Sequence, residues 1–156
     1  MYQRILVPVD GSQTSDKALQ AALQMSKESG GCVRIVHLID ASAYLSGPAG
    51  YLDFPSDLLG TMRDAGKKVL EDAANLAKIA GVQAETHLFD SFDGRLADVV
   101  SDAALQWNAD LVVVGTHGRR GVGRMLLGSG AEQILRHAPV PVLVIRSDEQ
   151  GIQQAG

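Results

Sequence analysis

One cysteine, Cys32, is the whole thiol content of the chain. It can close no internal disulfide and cannot supply a cysteine-rich zinc tetrad, and it fits a reducing compartment. Long apolar runs are also missing. The longest, Ile5 to Val9 and Leu111 to Val114, reach about five residues where a membrane helix needs roughly 18 or more. At the start, MYQRILVPVDGS meets Asp10 before a signal-peptide core can form, so the expected location is the cytoplasm, with no membrane partner. Basic residues are outnumbered, 14 Lys and Arg against 18 Asp and Glu for a net −4, which argues against a general nucleic-acid surface. Any anion site must therefore be local. Repeats and low-complexity tracts are absent, and 46% apolar with 21% charged residues excludes disorder and solenoids. A chain of 156 residues makes one domain.

What is present is alternation. Apolar strand candidates separated by helical patterns are the signature of a parallel α/β sheet with helices on both faces. The strand Arg4 to Val9 leads into a helix with Ala18, Leu19, Ala22, Leu23 and Met25 on one face, entered through Ser12 or Thr14 and stopped by Gly30-Gly31. Val33 to Ile39 is the second strand. Residues 40–55 carry Gly, Pro, Ser and three aromatics without a sustained period, and a loop of this length is expected to serve as a lid. Ser56 is expected to cap a long helix that ends at Gly81. Val82 to Leu88 alternates, so it reads as a strand buried on one face. A third helix spans about Gly94 to Trp107, Leu111 to Val114 is the fourth strand, a helix carries Ile134 and Leu135, and Val140 to Ile145 is the last strand.

Strand character orders the sheet. Strands one, two and four are apolar throughout, as doubly covered strands must be, whereas the third alternates and the fifth contains Pro141, which cannot donate to a ladder. The third and fifth are therefore edges, and right-handed crossovers favour an open five-stranded sheet of order 3-2-1-4-5. Chain direction across such a sheet reverses between strands one and four, where ligands of open α/β sheets bind. The residues at those two strand ends are Asp10 and Gly115.

From Gly115 the chain reads GTHGRRGVGRMLLGSGAE, with six glycines in sixteen residues up to Gly130. Glycine lets backbone N–H groups approach a ligand, and Gly128-Ser129 stands where a helix begins, so its free N–H groups favour an anion. Within residues 115–130 Arg119, Arg120 and Arg124 give a local +3, while the rest of the chain, 11 basic residues against 18 acidic, is −7. A Walker A loop is excluded because Ser129 stands where its lysine belongs. A dinucleotide fingerprint would follow the first strand, where Asp10-Gly11-Ser12 stands instead, and no G-x-S-x-G elbow occurs. A phospho-receiver site would need a lysine after the fifth strand, and no Lys follows residue 78. The four histidines, His37, His87, His117 and His137, lack ligand spacing, so no metal held by protein alone is expected.

The spacing Gly115-x2-Gly118-x9-Gly128-Ser129, with the opening ILVPVDGS and the closing PVPVLVIR, resembles the universal stress protein family, specifically its ATP-binding branch. The resemblance covers residues 1–146 and leaves 147–156 as a polar tail. It implies a cytoplasmic stress-response protein that binds ATP, ADP or AMP and acts as a sensor or regulator, with a slow ATPase or phosphotransferase, or a structural dimer without nucleotide, as alternatives. By resemblance Val9 and Leu38 would line an adenine pocket, and Asp10 would face the ribose or a phosphate-bound Mg ion. Val114, Gly115, His117 and Gly118 would lie along the nucleotide, and Gly128 and Ser129, with Gly130 beside them, would hold phosphate oxygens. Ala131 departs from the family pattern, which often has a second hydroxyl there. No catalytic residue is implied. A homodimer through Val140–Ile145 is expected, because that edge strand is nearly unbroken apolar sequence.

Overall fold

The computed structural model describes residues 1–39, 57–90, 95–116 and 127–146. In chain order the elements are β1 (Arg4–Pro8), α1 (Gln13–Ser29), β2 (Cys32–Ile39), α2 (Leu58–Ala80), β3 (Gln83–Asp90), α3 (Leu96–Trp107), β4 (Leu111–Gly115), α4 (Ser129–His137) and β5 (Val142–Ile145). All strand pairs are parallel and the order is β3-β2-β1-β4-β5, the order that strand character predicts. The expected lid at 40–55, the cap at Ser56, the helix start at Gly94 and the tail 147–156 lie outside the described residues.

The central strand shows why. Ile5, Leu6 and Val7 are all 0% exposed, and their side chains alternate between two cores. Ile5 and Val7 join Val33, Ile35, Leu111 and Val113 against Leu19, Ala22, Leu70 and Ala73 of α1 and α2. Leu6 joins Val36, Val112 and Val114 against Val100, Ala104, Trp107 and Ile134 of α3 and α4. Each large side chain buried this way contributes about 1.5–3 kcal/mol. Among the described residues no helix is long and apolar enough to cross a membrane.

Local chemistry sets the boundaries. Ser12 caps α1, its Oγ accepting from the Ser15 N–H at 3.2 Å, while Thr14, the other expected entry, is buried within the first turn. α2 stops at Gly81 and α3 at Asn108, with φ of 73° and 56°, the left-handed conformation that ends helices. β3 runs beyond its expected end at Leu88. Two adjacent apolar residues, Leu88 and Phe89, break the alternation because both faces are covered there: Leu88 packs toward the α1–α2 core and Phe89 toward the α3–α4 core. β5 begins at Val142, later than the expected Val140, and Pro141 sits just outside it, its carbonyl accepting from the Val112 N–H at 3.0 Å.

At the amino ends of the strands, the Arg4 and Arg34 guanidinium groups lie 4.3 and 5.0 Å from the Trp107 ring centre. Arg4 also donates twice to the Trp107 carbonyl. That end of the sheet is closed, and the opening lies at the other.

Candidate functional site

A cavity of about 560 Å³ opens beyond the carboxyl ends of β1 and β4, on the α3–α4 side of the sheet. Val36, Leu38 and Val114 line it from the strands, Phe89 from the end of β3, and Leu96, Val100 and Ile134 from the helices. Its polar rim has two parts of opposite character, the turn into α1 and the start of α4.

At the first, Asp10 folds back on its own turn. Its Oδ1 accepts from the Ser12 N–H at 2.9 Å, and Gly11 between them takes φ 81°, a value that favours glycine. Asp10 thus shapes the loop into α1 and borders the cavity at once. A second carboxylate, Asp16, lies in the first turn of α1. Burial, then the charges of Asp10 and Asp72, raise its carboxyl above the ordinary carboxylate value. Of the two carboxylates only Asp10 borders the cavity, and it makes this part of the rim repel an unaccompanied anion.

The start of α4 is the reverse. Gly128 stands at its N-cap, no side chain caps it, and the first-turn amides of Ser129, Gly130 and Ala131 have no intrahelical acceptor. Their dipoles favour negative charge. The Gly128 amide is not among them, since it donates to the Thr116 carbonyl at 2.5 Å. Among the phosphate contacts expected of this motif, the N–H of Gly128 is therefore already engaged, which leaves the amides after it.

Eight of the ten expected site residues border this one cavity: Val9, Asp10, Leu38, Val114, Gly115, Gly128, Ser129 and Gly130. His117, Gly118 and the three arginines of the loop lie outside the described residues. Two of the eight also carry a packing role. The side chain of Val9 packs in the α1–α2 core, its N–H donates to Val36 O, and its carbonyl bonds the His37 ring at 2.8 Å, so it borders the cavity from a strand end without forming an apolar wall. Gly115 is required by packing. A Cβ there would lie 2.7 Å from Thr14 Cγ2 and 3.0 Å from the Thr14 carbonyl, so only glycine lets α1 start against β4. Gly115→Ala should therefore lower stability by about 1–3 kcal/mol, the range for overpacking, measured by urea unfolding. Full stability in that variant would mean that Thr14 yields freely.

Several wall residues carry no ligand signal in sequence. Leu96, Val99 and Val100 have the spacing of an ordinary core-facing helix, and Phe89 follows the expected end of its strand. They become a wall only because Phe89 and the start of α3 meet at the same end of the sheet, on the same core. Among the described residues no group of three or more His, Cys, Asp or Glu side chains is arranged to hold a metal ion.

Comparison with known proteins follows the same boundaries. Residues 1–146 match the family model described as the universal stress protein family. A universal stress protein of Methanocaldococcus jannaschii is 32% identical over 151 residues, covering 96% of this chain and 85% of its own. A crystal structure from the same family in Burkholderia pseudomallei superposes with a TM-score of 0.75 at 34% identity, covering 94% of this chain and 97% of that one. A universal stress protein solved in complex with cAMP superposes with a TM-score of 0.65 at 26% identity, covering 94% and 98%.

Proposed function

This chain belongs to the universal stress protein family, and we propose that it binds an adenine nucleotide, ATP or its products ADP and AMP, in the cavity at the carboxyl ends of β1 and β4. The observation that carries this reading is the uncapped start of α4 at the mouth of an apolar cavity, a pairing suited to a ligand with an apolar planar part and an anionic tail. The volume of about 560 Å³ falls in the range of small-molecule sites. Structural similarity to a relative solved with cAMP supports the adenine part.

In this reading Leu38, Val36 and Val114 take the base, Asp10 faces the ribose, and the amides of Ser129 and Gly130 hold phosphate oxygens. His117 and Gly118 follow Thr116 along the same path. Asp10 is the one charged side chain among the described lining residues. Phosphates with a divalent ion such as Mg could approach it where bare phosphates could not. The protein acts as a cytoplasmic sensor or regulator whose surface changes with occupancy, and it works as a homodimer joined through β5. Two measurements test the binding. Denatured purified protein should release adenine nucleotide, and calorimetry should show ATP binding well ahead of GTP, since the described lining residues offer guanine no second carboxylate. Equal or absent binding of both at millimolar concentration refutes the reading.

A further inference from the structure

We propose that the hydroxyl of Thr116 is a phosphate-reading group of this site, a role that rests on the nucleotide reading above and makes it more specific. Thr116 is only 9% exposed, and its Oγ1 is buried with no hydrogen-bond partner among the described residues. A buried hydroxyl without a partner is destabilising and calls for something to satisfy it, and of the two among the described residues, those of Ser26 and Thr116, only that of Thr116 belongs to a residue lining the cavity. The position says what that would be. Thr116 borders the cavity. It continues the β4 ladder by donating from its N–H to Ile145 O at 2.9 Å, and strand alternation puts it on the face of Val112 and Val114, the α3–α4 side. Its carbonyl accepts from the Gly128 N–H, which holds the residue against the start of α4. Three amides without intrahelical acceptors and a residue with an orphaned hydroxyl thus border one corner of the cavity, and within the protein each of these groups lacks an acceptor. A phosphate oxygen supplies it. Oγ1 is closed to water in the free protein, so contact entails a turn about χ1 that carries the hydroxyl around Cβ toward the phosphate. The carboxylate of Asp10 stands at the α1 end of the rim, which favours this corner for the anionic part of the ligand.

The test compares wild type with Thr116→Val, which keeps the shape and removes the hydroxyl, and Thr116→Ser, which keeps the hydroxyl. ATP is titrated into each by calorimetry, and the ligand-free proteins are melted. Loss of a hydrogen bond to a charged group corresponds to roughly a tenfold or greater change, so Thr116→Val should bind ATP at least about tenfold more weakly while Thr116→Ser stays within about threefold of wild type. Ligand-free Thr116→Val should be at least as stable as wild type, because an unsatisfied group has been removed. Equal ATP binding by Thr116→Val, or equal losses in both variants, overturns the assignment, and so does a Thr116→Val protein that melts early or fails to fold, since the hydroxyl would then be structural. Wild-type protein that binds no ATP refutes the nucleotide reading itself, a result separate from all of these.

Discussion

In Gly128→Asp protein, ATP affinity falls by about 100-fold or more while the thermal midpoint of the ligand-free form holds or rises. The two halves of this result have opposite causes. Gly128 is the N-cap of α4, with φ −59° and ψ 153°, a conformation open to any L-residue. Aspartate is among the best N-cap residues and typically stabilises a helix by about 1 kcal/mol relative to a poor cap, so the fold gains. The same carboxylate would engage the first-turn amides and place a negative charge where the phosphates are proposed to lie. Loss of those bonds together with like-charge repulsion amounts to about 3 kcal/mol, or roughly two orders of magnitude in affinity. Calorimetry and a thermal melt on the same preparation suffice. Retained affinity would mean that the phosphates lie elsewhere, and a collapsed melt would mean that residue 128 matters for folding alone.

Val144→Pro should convert a dimer into a monomer. The ladder between β4 and β5 takes the carbonyls of Pro141 and Ile145, through the Val112 and Thr116 N–H groups. Parallel pairing alternates along a strand, so Leu143 also turns inward and Val142 and Val144 turn their N–H and C=O groups to the open edge. Every residue of β5 is half-buried, with Val142 and Val144 leaning on one core and Leu143 and Ile145 on the other. An edge that is apolar on both faces and unpaired suits a second copy of itself, related by a two-fold axis near its middle. Proline at 144 removes an outward donor without touching the β4 ladder. Val142→Asp is a second route, setting like charges against each other across the axis. Light scattering at tens of micromolar should give twice 16.5 kDa for wild type and the single-chain mass for both variants. A wild-type mass near 16.5 kDa refutes the dimer, and dimers from both variants place the interface elsewhere.

Strand order was legible because burial on two faces leaves a composition that burial on one face does not: Ile5 to Val7 cannot be an edge, and Pro141 cannot be central. The switch point followed, and with it Asp10, Gly115 and Gly128. Less legible was why each residue is there. A glycine signals that something comes close without saying what, and at Gly115 the close neighbour is Thr14 of α1. At Asp10 a turn-forming acid and a ligand-facing acid look the same in sequence, and this side chain binds its own turn while bordering the cavity. The cavity's far wall was not legible at all, because Phe89, Leu96 and Ile134 come from three elements and carry only the mark of burial. Thr116 gave no sign either. A threonine after a glycine is ordinary, and an unpartnered hydroxyl is a property of its surroundings.

The position of β1 has a consequence for biosynthesis. Its partner on one side, β2, is made soon after it, whereas its partner on the other, β4, begins only at Leu111. While the ribosome makes the residues between, β3, β2 and β1 can assemble with α1 and α2 over one face, but β1 then carries an open edge of Ile5, Leu6 and Val7 and lacks α3 and α4 over the other. A nascent chain halted in this interval presents an apolar strand with unpaired amides, the surface that chaperones hold and that stray chains join. Arrival of β4 closes that edge and passes the exposed position to β5, so the vulnerable face of the growing chain moves outward to the strand proposed to meet its own copy.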